Sequence, residues 1–172
     1  MMKLSSFGAG IVLAFLLAGC VLQSEKPNFK DSEGVALPAE FVTSFVTENF
    51  TNGAWTAEKG SISFAASGQH YVAKNEKSET IDVLFVALGK DAWVMQATEE
   101  DKPSAYVMVE AKDDTLLLRP LFCDDVKKQK AAMSLVRFET SDCFLTGSVV
   151  VDVFRTLGAD VGDAKMRLRV VK

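Results

Sequence analysis

Ile81-Asp-Val-Leu-Phe-Val-Ala-Leu88, Gly89-Lys-Asp91 and Ala92-Trp-Val-Met-Gln-Ala-Thr98 decide the fold. Two apolar runs of strand length flank a three-residue turn that contains Gly89 and Asp91, which is the signature of a β-hairpin. In the second run Trp93, Met95 and Ala97 share one face, and Val94, Gln96 and Thr98 share the other. That alternation predicts one core face and one partly wet face. In the first run Val83 and Phe85 are opposed by Leu84 and Val86. A strand apolar on both faces belongs centrally or beneath a covering helix.

The same rhythm extends outward in both directions. Upstream lie Ser61–Ala66 and Gln69–Ala73, and downstream Ala105–Ala111 and Thr115–Leu121. They are separated by Ser67-Gly68, Lys74–Thr80, Glu99–Ser104 and Lys112-Asp113-Asp114. Short strands at such regular spacing predict a mainly β domain, an antiparallel meander forming a small barrel or sandwich. Lys165–Val171 alternates strictly, with Met166, Leu168 and Val170 against Lys165, Arg167 and Arg169. It reads as a closing strand with a cationic outer face.

One or two short covering helices are expected. Phe41, Val42, Phe45, Val46 and Phe50 follow Pro38 at helix-like spacing. Ser148 is placed to cap a second helix with Val149, Val150, Val153, Phe154 and Leu157 on one stripe and Gly158 as its stop, although the β-branched residues make a strand the rival. The stretch 124–136 reads as either a helix or a long loop.

The first twenty residues carry an address. Lys3 is the only charge before Glu25, and it precedes the apolar run Phe7–Gly19, the charged and apolar regions of an export signal. A spanning helix is the other reading of this stretch, because about 20 apolar residues suffice to cross a bilayer. Leu17-Ala18-Gly19-Cys20 resembles the lipobox of bacterial lipoproteins. The resemblance implies cleavage before Cys20, a diacylglycerol on its thiol and stable anchoring by two or more acyl chains. Val21 stands where many such proteins carry the Asp that retains them in the inner membrane. In a two-membrane cell this implies the periplasmic face of the outer membrane. Gly8-Ala9-Gly10 precedes no strand-to-helix unit, so no phosphate loop is read from it.

Three segments follow from this reading: a signal peptide at 1–19, a lipidated cysteine and flexible tether at 20–37, and a single β-rich periplasmic domain at 38–172. Loss of Lys3 with the signal reduces 19 Lys plus Arg to 18, against 23 Asp plus Glu, for a formal charge of −5. An acidic chain without a basic run argues against nucleic acid as a partner. With Cys20 consumed by lipid, Cys123 and Cys143 remain as a pair in an oxidising compartment, where a structural disulfide is expected.

No catalytic set or cofactor motif stands out. His70 is the only histidine and has no nucleophile elbow beside it, so it reads as an ordinary sheet or rim residue. Glu99-Glu100-Asp101, Asp113-Asp114 and Asp124-Asp125 fit no calcium loop and read as solvated turns. No metal or other cofactor is expected. Gly53-Ala54-Trp55 resembles the Gly-x-Trp near the first strand of lipocalins, barrels that bind apolar ligands, and a core tryptophan opening a β-domain is the alternative.

The leading expectation is a membrane-anchored, non-catalytic protein that binds an envelope partner or has an envelope structural role, with Arg167, Arg169, Trp55 and Trp93 as candidate binding residues. The alternative is a lipocalin-like carrier or sensor of a small apolar ligand, motivated by Trp55, Tyr71, Phe85, Trp93 and Tyr106 on successive strands. A hydrolase that uses carboxylates is third.

Overall fold

The computed structural model describes residues 21–129, 134–159 and 162–172. Its strands are β1 (Leu22–Ser24), β2 (Ser44–Thr51), β3 (Ala54–Ser67), β4 (His70–Asn75), β5 (Thr80–Gly89), β6 (Ala92–Thr98), β7 (Ser104–Lys112), β8 (Thr115–Pro120), β9 (Val136–Glu139), β10 (Asp142–Leu145) and β11 (Met166–Val170). Two short α-helices, α1 (Cys123–Lys127) and α2 (Val151–Ala159), and two 3-10 turns, Asp31–Glu33 and Ala39–Phe41, complete the regular structure of the described residues.

β2 to β8 form an antiparallel meander, and β6 pairs with β7. β11 then inserts between β8 and β2, antiparallel to both, with Leu168 opposite Leu116 on one side and Thr47 on the other. Eight strands thereby close into a barrel, which leaves no edge among them for pairing with another chain. The closing strand is the alternating run 165–171. Its apolar members turn inward because only that parity places Leu168 beside Leu116 in the core.

The barrel interior is filled. Phe45, Phe64, Tyr71, Phe85, Trp93 and Met95 are all buried there. Their rings interlock edge to face, with centroids 5.4 Å apart for Phe45–Phe64, 5.7 Å for Phe64–Phe85 and 5.6 Å for Tyr71–Phe85. Burying each such side chain stabilises the fold by about 1.5–3 kcal/mol. In β3 the register shifts opposite Val46 and Glu48, and Gly60 sits within the skipped stretch at φ +118°, a conformation that side-chain-bearing residues avoid.

A second apolar layer covers one outer side of the barrel. Leu84 and Val86 of β5, Val94 of β6 and Tyr106 of β7 point outward and meet Phe154 and Leu157 of α2. This explains the doubly apolar run 81–88, whose odd residues Val83 and Phe85 face the interior and whose even residues face the cover. The face of β6 expected to be partly wet is also covered, for Val94 and Gln96 are both buried.

Three expectations about local structure are corrected. The first helix, placed at 38–50, is absent: Ala39–Phe41 make one 3-10 turn after Pro38, and β2 begins at Ser44. Val42, Thr43, Val46, Thr47 and Thr51 are β-branched and favour extended backbone, and β2 finds partners on both edges. The segment 20–37 is not a flexible tether over its described residues. β1 pairs parallel to β10 and antiparallel to β7, and Val21, Leu22, Phe29 and Leu37 are buried. Polar composition misled here because the polar side chains find long-range partners. Finally, Gly158 does not stop the second helix, since α2 continues to Ala159 and begins at Val151 rather than just after Ser148. Within 124–136, α1 ends at Lys127 and β9 begins at Val136, while 130–133 lie outside the described residues.

The path of 24–41 shows how the segment is held. Phe29 packs against Phe154 in the outer layer, with ring centroids 5.2 Å apart. The chain then passes the β3–β4 hairpin at Gly34, and the Val35 amide donates to the Phe85 carbonyl at 2.8 Å. The Leu37 amide donates to the Tyr71 hydroxyl, also at 2.8 Å, and Leu37 and Phe41 join the interior core. The segment begins outside the barrel and ends as a plug in its apolar centre.

Candidate binding surface on the open wall

Because β1, β9, β10, α1, α2 and residues 25–34 lie to one side, the outer face of β8, β11, β2 and β3 stays open. Glu48 on β2 is directly opposite Arg167 on β11, and Phe50 is opposite Trp55 on β3. Cross-strand neighbours on one face lie within about 5.5 Å, so these side chains must interact. Arg167 Nε donates to Glu48 Oε2 at 2.6 Å, and Arg169 Nε donates to Glu48 Oε1 at 2.9 Å. The Arg167 guanidinium also stacks on Trp55 at 4.4 Å from the ring centroid, and Phe50 meets the same ring at 5.3 Å. A stacked, carboxylate-held guanidinium loses little further freedom when it binds a partner.

Glu48 is 6% exposed. Burial pushes its carboxyl upward, but the hydrogen bonds from Arg169 and Arg167, reinforced by their charges, outweigh it and hold the group below its ordinary value. One carboxylate faces two guanidinium groups, so the trio carries a net positive charge. Glu48 engages only the Nε edge of each arginine. The remaining parts line a shallow groove of about 350 Å³ together with Trp55, Leu117, Arg119 and Lys112, and Asp113, Asp114 and Asp163 complete its lining, so the positive charge is local to the arginine pair. Arg119 is paired with Glu110, and at the rim Asp114 meets Lys172 Nζ at 3.1 Å.

Arg167, Arg169 and Trp55, expected as binding residues, are thus brought together. Trp93, also expected as a binding residue, is not among them: it is 6% exposed and turned into the barrel. Strand parity decides this, because Trp93 shares its face with Met95 and Ala97. The five aromatics that motivated an interior ligand line no common cavity. Tyr71, Phe85 and Trp93 fill the interior, Tyr106 belongs to the outer layer, and Trp55 is on the open wall. Glu48 and Phe50 were not foreseen as members of the site. Their signal was present only in β2 register, which the helical reading of 38–50 concealed.

The remaining candidates are dispersed. His70 lies at the edge of a separate cleft of about 240 Å³, its Nε2 3.9 Å from Asp82 Oδ1, beyond hydrogen-bond distance. Asp124 and Asp125 are in α1, where they meet Lys127 and Lys128. Among the described residues no group of three or more His, Cys, Asp or Glu is placed to hold a metal ion. Cys123 and Cys143 are bridged, with Cα atoms 5.6 Å apart. Cys20 and the signal segment lie outside the described residues.

Comparison of the chain with protein-family models, with curated proteins and with solved structures finds no match. The arrangement itself therefore carries the functional argument.

Proposed function

We propose that this chain is a lipid-anchored envelope protein that works by binding a carboxylate- or phosphate-bearing partner on the open wall of its barrel. The observation that carries the reading is the Trp55–Arg167–Glu48–Arg169 assembly, with guanidinium groups pre-oriented by Glu48 and an aromatic ring and left partly free along a groove. Arginine presents a planar fork that matches oxyanions in two-point contacts. A ligand in the interior is the weaker reading, because interlocked rings already occupy that space. Anchoring rests on Leu17-Ala18-Gly19-Cys20, and with Val21 in place of the inner-membrane retention Asp the expected site in a two-membrane cell is the periplasmic face of the outer membrane.

Complementation of a strain lacking the gene tests the reading at matched protein abundance. Arg169→Gln and Trp55→Ala are the informative variants, since Arg167 still pairs with Glu48 in both. They are expected to lose function while His70→Gln retains it. A silent Arg169→Gln/Trp55→Ala double variant beside a null His70→Gln would sink the binding model. Labelled fatty acid should enter the wild-type chain and not Cys20→Ser, which lacks the acceptor thiol.

A further inference from the structure

The first described residue is Val21, and it is 1% exposed. It forms an isolated antiparallel bridge with Phe122, and the next residue's amide, of Leu22, donates to the Leu121 carbonyl at 2.7 Å. On the other side Leu22 pairs with Cys143. Phe122 is followed by Cys123, which is bridged to Cys143. The disulfide therefore ties together the two segments that flank β1 and closes a clamp around its start. Cys20 is joined to Val21 by one peptide bond, which separates their Cα atoms by about 3.8 Å. No slack lies between the acylated position and the clamped strand.

We infer that the domain is seated directly on the lipid surface, with Phe122 and the adjoining cleft against the headgroups, and not suspended above them. The inference rests on the lipid-anchor reading of Cys20. Phe122, bridged to Val21 at the start of β1, is 39% exposed. Beside it opens a cleft of about 340 Å³ lined by Cys123, Asp124, Lys127, Thr140 and Ser141. Acyl chains that start at Cys20 can enter a bilayer only if this part of the surface reaches the headgroup layer. An aromatic side chain with polar groups around it suits that interface. Among the described residues, the charges of α1 and its C-cap are paired: Lys127 Nζ lies 3.6 Å from Asp124 Oδ1, and Lys128 Nζ lies 2.7 Å from Asp125 Oδ1. The seat therefore needs no anionic lipid, and a zwitterionic bilayer is sufficient.

The test uses the lipidated full-length mature protein in phosphatidylcholine vesicles with brominated acyl chains. F122W adds a reporter at the proposed seat, S141W provides a second in case the first perturbs folding, and wild type with its two native tryptophans is the reference. The added fluorescence is expected to fall by about half or more, as for a ring buried ~5–10 Å into the interface. Inserting a flexible Gly/Ser segment between Cys20 and Val21 should restore most of it, and raising the salt should change nothing. Labelled fatty acid is counted on the same preparation. Labelled protein whose reporters are no more quenched than wild type, or whose quenching survives the insertion, overturns the seat alone. Unlabelled protein overturns the anchor reading and the seat with it.

Discussion

The Ser24 and Tyr106 hydroxyl oxygens lie 2.5 Å apart across 82 residues of sequence. Ser24 donates to the Lys26 carbonyl at 2.5 Å, and the Tyr106 hydroxyl donates to Gln96 Oε1 at 3.3 Å. The phenol oxygen in turn accepts from the Asn28 amide at 3.1 Å. Gln96 continues the network, accepting from the Phe29 amide at 2.8 Å and donating back to the Phe29 carbonyl at 3.2 Å. Burial foremost raises the Tyr106 pKa against the opposing hydrogen bonds, keeping the phenol neutral and able to donate.

Tyr106→Phe should destabilise the domain by about 1–3 kcal/mol, because it removes the acceptor of the Asn28 amide and the hydroxyl that joins Ser24 to Gln96 in a buried site. Denaturant titration measures the loss. Limited proteolysis should also expose cleavage within 25–30 before the barrel opens. A variant as stable and as resistant as wild type would show that the network does not hold the segment.

Glu48 predicts an acid-labile component of stability. Its folded pKa lies below the unfolded value, so its stabilisation is fully present above that unfolded value, near 4.5, and is lost as pH falls through the lower folded one. Glu48→Gln should cost about 1–3 kcal/mol at neutral pH by replacing the carboxylate that both arginines share with a neutral amide that offers one acceptor oxygen and turns a donor toward the other guanidinium. The difference from wild type should shrink when unfolding is measured below pH 4.5.

Gly34→Ala and Gly158→Ala should behave oppositely although both sites are crowded. A Cβ at Gly34 would lie 2.7 Å from the Gln69 carbonyl and 2.5 Å from Leu84 Cδ1, and backbone cannot yield cheaply. A loss of about 1–3 kcal/mol is expected. At Gly158 the obstacle is Met108 Cε at 2.4 Å, the end of a flexible side chain. Gain of helix propensity there offsets the adjustment, for a net change within about 1 kcal/mol. Thermal unfolding of both variants decides it, and equal losses would contradict the argument.

Removing the Cys123–Cys143 bridge should lower stability by about 2–4 kcal/mol on the chain-entropy account. Peptide mapping without reduction should recover the bridged pair, and alkylation of both cysteines in unreduced exported protein would remove it. Loosening should begin at β1, whose two flanking segments the bridge ties together.

Local chemistry determined much of this protein. Alternation and turn residues specified the meander from Ser61 to Leu121, the two-faced burial of 81–88 and the inward and outward residues of the last strand. Each is a short-range property of pleat and loop. With Cys20 read as the lipid acceptor, the cysteine count left Cys123 and Cys143 as the pair. Tertiary structure decided the rest. Phe41, Val42, Phe45, Val46 and Phe50 satisfy a helical period as well as a strand, and only pairing with β3 and β11 selected β2. Polar residues at 23–28 resemble a linker until Tyr106 and Val149 provide hydrogen-bond partners 82 and 121 residues away. Trp55 and Trp93 look alike in sequence, yet strand parity and barrel closure send one to the open wall and the other into the core. Glu48 becomes a site residue only when closure brings β11 beside β2, because a buried carboxylate needs cations that lie 119 and 121 residues away.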